Sequence, residues 1–297
     1  MSCRARFLTQ VVLSLAAACS GIVVAGSGER VIVAYHLESP TLTLHEPVRL
    51  IFDLQNRSEK PVKLDLGYDR KGSFRLTVTR PGGKREEVPQ LGPRGAGGLS
   101  RIETIRVASG ERYTQSLLLN EWTEFKQPGV YQLAVRLSKP IESEEGSALV
   151  AVRPFRVSLT ILPRDERELA RGAAALASTI EITQSTEEYR EAALALSYIN
   201  DPIAVPFLAR TLRSGKYVEA EAIEGLERIG NADAVQVLIS AFEEGKAAHG
   251  DVGSQRKLRA NLAEQALQRL LRNTSDEKVI DMIEQTIKRD VAAGRSP

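Results

Sequence analysis

Phe155-Arg156-Val157-Ser158-Leu159-Thr160-Ile161-Leu162-Pro163-Arg164-Asp165-Glu166-Arg167-Glu168-Leu169 is where the chain changes character. Up to Leu162 apolar and polar residues alternate, the period of a strand with one face in a core. Pro163 stops the alternation. Asp165 and Glu168 then stand three apart, the spacing of a capping box, in which one side chain bonds an orphan amide of the first turn and the other reaches back. The stretch predicts a last strand, a short join and a first helix. It divides the chain into a sheet-forming part, residues 29–163, and a helical part, residues 164–293.

Upstream of this boundary the period of two recurs. Val31, Val33 and Tyr35 alternate with Ile32, Ala34 and His36, and Val48, Leu50, Phe52 and Leu54 with Arg49, Ile51, Asp53 and Gln55. Further runs are Val62–Leu66, Phe74–Val78, Tyr113–Leu119, Val130–Leu137 and Val150–Leu162. Turn residues separate them, and Arg80-Pro81-Gly82-Gly83-Lys84 between two runs predicts a hairpin. Pro89–Ser100, rich in Gly and Pro, reads as a long loop. About seven to nine short strands with regular turns predict an all-β sandwich.

Downstream, helix-start signals recur at Ser185 with Glu188, at Thr274 with Glu277, and at Asp201-Pro202, where a carboxylate precedes a proline at the first helical position. The segment also repeats itself. Ala192, Ala195, Leu196 and Ile199 match Ala222, Gly225, Leu226 and Ile229 thirty residues later, and Ala204-Val205 and Leu208 match Ala234-Val235 and Leu238. A third copy, Ala263, Ala266, Leu267 and Leu270, follows an eleven-residue insertion that places a loop around Gly245–Ser254. Small residues would let each second helix approach its neighbours, and stacking would make the core that no single pair can bury.

Two resemblances follow from these residues. Glu46–Asn56, with its closing Asn, and Phe125-Lys126-Gln127-Pro128-Gly129-Val130-Tyr131-Gln132-Leu133, with a Pro-Gly-x-Tyr turn, resemble bacterial immunoglobulin-like domains. The pattern Val218, Ala222, Gly225-Leu226, Ile229-Gly230-Asn231 resembles HEAT repeats, including the short bacterial forms related to phycobilisome-lyase repeats. The family's Arg after the Val-like position is replaced here by Tyr189, Glu219 and Ala260. The resemblances imply an all-α HEAT-like solenoid behind an immunoglobulin-like sandwich. In HEAT-like stacks the second helices line a concave side. Its non-core positions here are Arg190, Leu194, Ser197, Glu224, Glu227, Asn261, Gln265 and Gln268, the expected binding face for a protein or peptide partner.

The amino terminus reads as an address. Arg4 and Arg6 precede an apolar run, Phe7–Val24, with no charge before Glu29, the pattern of a secretory signal. Small residues before Gly26 suit cleavage after Ala25, giving a signal peptide 1–25. Leu15-Ala16-Ala17-Ala18-Cys19 alternatively resembles a lipobox, with signal 1–18 and Cys19 lipidated. The expected product is periplasmic or secreted, or an outer-membrane lipoprotein, touching membrane only through Cys19.

Chemistry-bearing motifs are sparse. The chain holds 297 residues, 42% hydrophobic and 26% charged, with net charge +2, which gives no general case for a nucleic-acid partner. Its two cysteines, Cys3 and Cys19, both precede the folded part, so no disulfide framework or thiolate metal site is expected there. His36, His45 and His249 fit no metal-ligand spacing, and no phosphate loop or nucleophile elbow occurs. Glu142, Glu144 and Glu145 read as a solvated loop, and Trp122, the only tryptophan, as a packing residue near the Pro-Gly turn, against a ligand-stacking alternative. No cofactor, metal or catalytic residue is expected. The sequence predicts a non-catalytic interaction or scaffold protein of the cell envelope. A ligand-binding or protease-inhibitor-like module and an enzyme with an unrecognised site stay open beside it.

Overall fold

The computed structural model describes residues 21–24, 31–66, 70–83, 85–88, 104–150, 154–246 and 253–292. The expectations for Cys19, His249 and the Pro89–Ser100 loop lie outside them. A β region, residues 31–162, is followed by a helical region that begins at Glu166.

The described strands form three sheets. The first joins β1 (Gly21–Val24), β2 (Val31–Leu37), β4 (Arg49–Asn56) and β9 (Arg112–Leu118) in that order, all antiparallel. The second joins β3 (Thr41–Thr43), β13 (Phe155–Leu162), β10 (Gly129–Leu137), β6 (Phe74–Thr79) and β7 (Arg85–Glu87), with only β3 and β13 parallel. The third joins β12 (Ala148–Val150), β11 (Ile141–Ser143), β5 (Val62–Asp65) and β8 (Thr104–Val107). A single turn of helix, α1 (Arg70–Ser73), leads into β6. The run Val150–Leu162 is thus two strands in different sheets, divided at Arg153-Pro154, where the apolar positions change from even to odd.

One apolar core takes the alternate residues of all three sheets. Rings cross it: Tyr35 packs against Phe52 at 5.2 Å and against Phe155 of the second sheet at 5.5 Å, and Phe52 meets Phe74 edge-on at 5.4 Å. Each such ring, fully buried, contributes about 1.5–3 kcal/mol. The expected hairpin forms: β6 and β7 pair across Pro81–Gly83, with Gly82 at φ 65°. Gly129 sits at φ 138° against Pro81, so close that a Cβ there would lie 2.6 Å from the proline ring. Asn56 closes β4 fully buried. Its side-chain amide donates to the carbonyls of Lys60, Val107 and Ala108, and its oxygen accepts from Ser58. The Asn56-Arg57-Ser58 triplet is therefore a knot in the fold and no accessible sequon.

Among the described residues seven helices follow: α2 (Glu166–Ile182), α3 (Thr186–Ser197), α4 (Val205–Leu212), α5 (Glu219–Ile229), α6 (Ala232–Lys246), α7 (Gly253–Asn273) and α8 (Glu277–Ala292). Asp165 accepts from the amides of Arg167 and Glu168, and Ser185 from that of Glu188, the first half of each capping box; the Glu does not reach back, because the Asp165 amide donates to Thr43 and the Ser185 amide to Thr183. At α8 the cap is Asp276, one residue before the helix, which accepts from Lys278 and Val279; Thr274 instead accepts from the Asp276 amide. Alternate helices touch: α2 with α4, α4 with α6, α6 with α8, and likewise α3 with α5 and α5 with α7. The small repeat positions Ala192, Ala222 and Ala263 lie in the shared core. A Cβ on Gly225 would fall 2.9 Å from Ser197 Cα and from Leu208, so this crossing requires glycine. Gly245, expected in a loop, lies inside α6 against α7, where a Cβ would meet the Arg256 carbonyl at 2.2 Å. A glycine reads as a breaker in sequence, yet here it is the flat spot that lets a helix pass.

A candidate ligand cleft at the join of the two regions

The two regions are tied by few but well-placed bonds. The Thr43 hydroxyl, at the end of β3, donates to the Pro163 carbonyl at 2.6 Å and accepts from the Asp165 amide at 2.7 Å. Arg164 grips Asp201 with two hydrogen bonds, 2.6 and 3.0 Å, and Asp201 also caps Ile203 at 3.0 Å. Arg164 holds the Asp201 carboxyl below its ordinary range; burial opposes this, and the Ile203 amide and, more weakly, His45 assist.

Beside this tie opens a cleft of about 500 Å³ with walls from both regions, within the ~300–1,000 Å³ range of small-ligand sites. One wall is the turn after β3. Glu46 folds back so that its carboxylate accepts from the Thr43 amide at 2.6 Å, and His45 takes φ 76°, the one non-glycine residue with positive φ among the described residues. Burial pushes the Glu46 carboxyl up, the Thr43 amide pulls it back in part, and Glu168 and Asp165 add to the rise.

The second wall is Asn120–Lys126. The Asn120 side chain accepts from the Val48 amide at 2.6 Å, which pins the segment to the start of β4. Trp122 is buried, and its indole N–H has no partner among the described residues. Phe125 meets Tyr131 edge-on at 5.2 Å, and the Tyr131 hydroxyl donates to the Gln127 carbonyl at 2.8 Å. The Pro-Gly-x-Tyr turn thus fixes the back of the cleft. Trp122 belongs to the core and also lines this cavity.

The third wall is helical: Tyr198, Asn200 and Arg228. Arg228 lies over the Tyr198 ring at 4.1 Å, a cation–π contact, and donates to the Ser197 carbonyl. Neither residue was singled out from sequence. The signal was present: Tyr198 and Arg228 are thirty residues apart, the repeat offset, so they occupy one position in successive copies. Glu46, Asn120 and Asn200 carry no such signal, because only the fold brings them together.

The eight residues expected on the helical face do not line the cleft. Arg190, Leu194, Glu224 and Glu227 are half-buried, and Asn261, Gln265 and Gln268 are exposed on α7. Ser197 is a correction: it is fully buried beneath Gly225, its hydroxyl donating to the Leu194 carbonyl at 2.8 Å, because the close crossing of α3 and α5 encloses it. Glu227 takes a two-pronged bond from Arg269 at 2.7 Å. Glu221 is raised by burial and by Glu224 and Glu219, and Arg190 offsets part of that. Arg269 and Glu221 were not read as part of this face. The acidic loop is a set of exposed ion pairs, Lys60 with Glu145 at 3.1 Å and Arg106 with Glu144 at 2.6 Å. Among the described residues, no group of three or more His, Cys, Asp or Glu is placed to hold a metal, and no helix is long and apolar enough to cross a membrane.

No known family model and no curated protein matches the sequence. Among solved structures, the CARDB domain of a Pyrococcus furiosus protein is similar over 47% of this chain and 100% of its own, at 10% identity and TM-score 0.25. The native conformation of E. coli alpha-2-macroglobulin is similar over 87% of this chain at 12% identity and TM-score 0.26, and the chain spans 22% of that protein. A β-glucosidase from Listeria innocua is similar over 49% of this chain at 13% identity and TM-score 0.21, with 17% of its length spanned.

Proposed function

We propose that the protein is an exported, non-catalytic interaction protein of the bacterial cell envelope. In this reading an immunoglobulin-like β domain carries a HEAT-like helical stack, and a peptide segment of a protein partner lies in the cleft between them. The observation that carries the reading is that both regions build the cleft while Thr43 and Arg164 fix the angle between them. A site held in shape before binding loses less freedom when it is filled. The exposed amide of Asn200 suits a peptide bond, and Arg228, spread on Tyr198, suits an acidic or carbonyl group. Alternation of contacts between α2, α4, α6 and α8 and between α3, α5 and α7 supports the repeat reading. Export rests on the leader, cleaved after Ala25 or processed at Cys19.

The test uses Trp122, whose fluorescence reports on the cleft wall. A photo-crosslinking amino acid at Asn200, introduced in cells of the source species, should capture a partner. The purified partner should then change Trp122 emission saturably, and Arg228→Glu should weaken it at least tenfold. A small metabolite that produces the same saturable change would favour the ligand-binding module. Crosslinks at Asn200 no more frequent than at exposed Gln236, with silent Trp122 emission, would sink both.

A further inference from the structure

β1 pairs antiparallel with the middle of β2, Gly21 opposite Tyr35 and Val24 opposite Ile32. The other side of β2 is committed to β4 along all seven residues. Among the described residues β1 is therefore the sole cover of the outer backbone edge of β2. The four residues of β1 also fall inside the leader that ends at Ala25.

We propose that the outer edge of β2 is a strand-accepting site, filled by residues 21–24 in the unprocessed chain and opened by cleavage after Ala25 to an extended, uncharged, β-branched segment of a protein partner. The proposal rests on the export reading. β2 is unlike a strand made to stand at a rim. Natural rims are kept short, charged, bulged or interrupted by proline, because a bare row of N–H and C=O groups pairs with any extended chain. Among the described residues the other rims are short or carry charge, β9 being as long as β2 but opened by Arg112. β7 is three residues, Arg85-Glu86-Glu87; β3 and β12 are also three; β8 carries Arg106. β2 is Val-Ile-Val-Ala-Tyr-His-Leu, seven residues with no Lys, Arg, Asp, Glu or Pro. Its alternate residues Val31, Val33, Tyr35 and Leu37 are buried in the core, so the strand cannot twist away without loss of packing. Its resident, Gly-Ile-Val-Val, defines the chemistry the edge takes: small or β-branched, uncharged and antiparallel. Main-chain bonds would supply the attachment, as in strand addition generally.

The experiment compares a chain starting at Gly26 with one starting at Ser20, using a labelled synthetic peptide of residues 20–26. Intact mass of the protein recovered from the envelope fixes the native start. The Gly26 chain should bind the peptide saturably, and the outward amides of residues 32–35 should gain at least tenfold protection from hydrogen exchange when it does. The Ser20 chain should show that protection unaided and bind no peptide. If the Gly26 chain does not fold alone, its refolding should depend on the peptide. No binding, equal protection in both chains, refolding that ignores the peptide, or a dimer that the peptide cannot dissociate would each overturn the proposal. A native start upstream of Gly21 would instead sink the cleavage after Ala25, and the vacated edge with it; a start at Gly26 without peptide binding sinks the edge alone.

Discussion

Asn56 shows how much one side chain can hold. Its buried amide donates to three carbonyls, and its oxygen turns the chain at Ser58. Asn56→Ala should cost about 3 kcal/mol, the penalty of orphaning buried polar groups, seen as a lower urea midpoint at unchanged slope. Two glycines make an opposed pair. Gly225→Ala should destabilise by about 1–3 kcal/mol, because Ser197 Cα and Leu208 stand 2.9 Å from the added carbon. Gly172→Ala should stabilise by about 0.5–1 kcal/mol, because α2 there has no neighbour nearer than Glu46 at 4.0 Å and gains helix propensity. Thermal melts of the two variants should move in opposite directions.

At the level of elements, sequence was most readable where one periodicity ruled. Alternation located β2, β4, β6 and β10, and capping spacings located α2 and α3. Reading failed where two effects share one pattern. Val150–Leu162 reads as one run, yet its apolar phase shifts at Arg153-Pro154, where the chain passes from β12 to β13. Gly245 looks like a turn because only geometry distinguishes a breaker from a contact glycine. Of the cleft, Trp122 and His45 were visible as residues, but their meeting depends on a join that pairs positions 120 residues apart, Thr43 with Pro163. That join should respond to acid. The Asp201 carboxyl is depressed, so its stabilising effect is complete above the ordinary carboxylate value of about 3.9 and fades as pH falls through the lower folded value. Arg164→Met removes the cause of the depression. Its melting temperature should fall at pH 7, with a smaller further drop between pH 5 and 3 than the unaltered protein shows.

For the whole molecule, Thr43 is the pivot. Thr43→Val keeps the shape and deletes both bonds of the hydroxyl. Spin labels at exposed sites on β10 and α3 should then report a broader distance distribution, while circular dichroism of each region stays unchanged. The position of that pivot also governs how such a chain can vary in length. Among the described residues the Thr43 bonds to Pro163 and Asp165 join the sheets to the α2 end of the helical region. Duplicating a helix pair between Lys246 and Gly253 would lengthen the array without disturbing Tyr198, Asn200 or Arg228. A duplication ahead of α3 would pull the cleft apart, so growth in this architecture has one permitted direction.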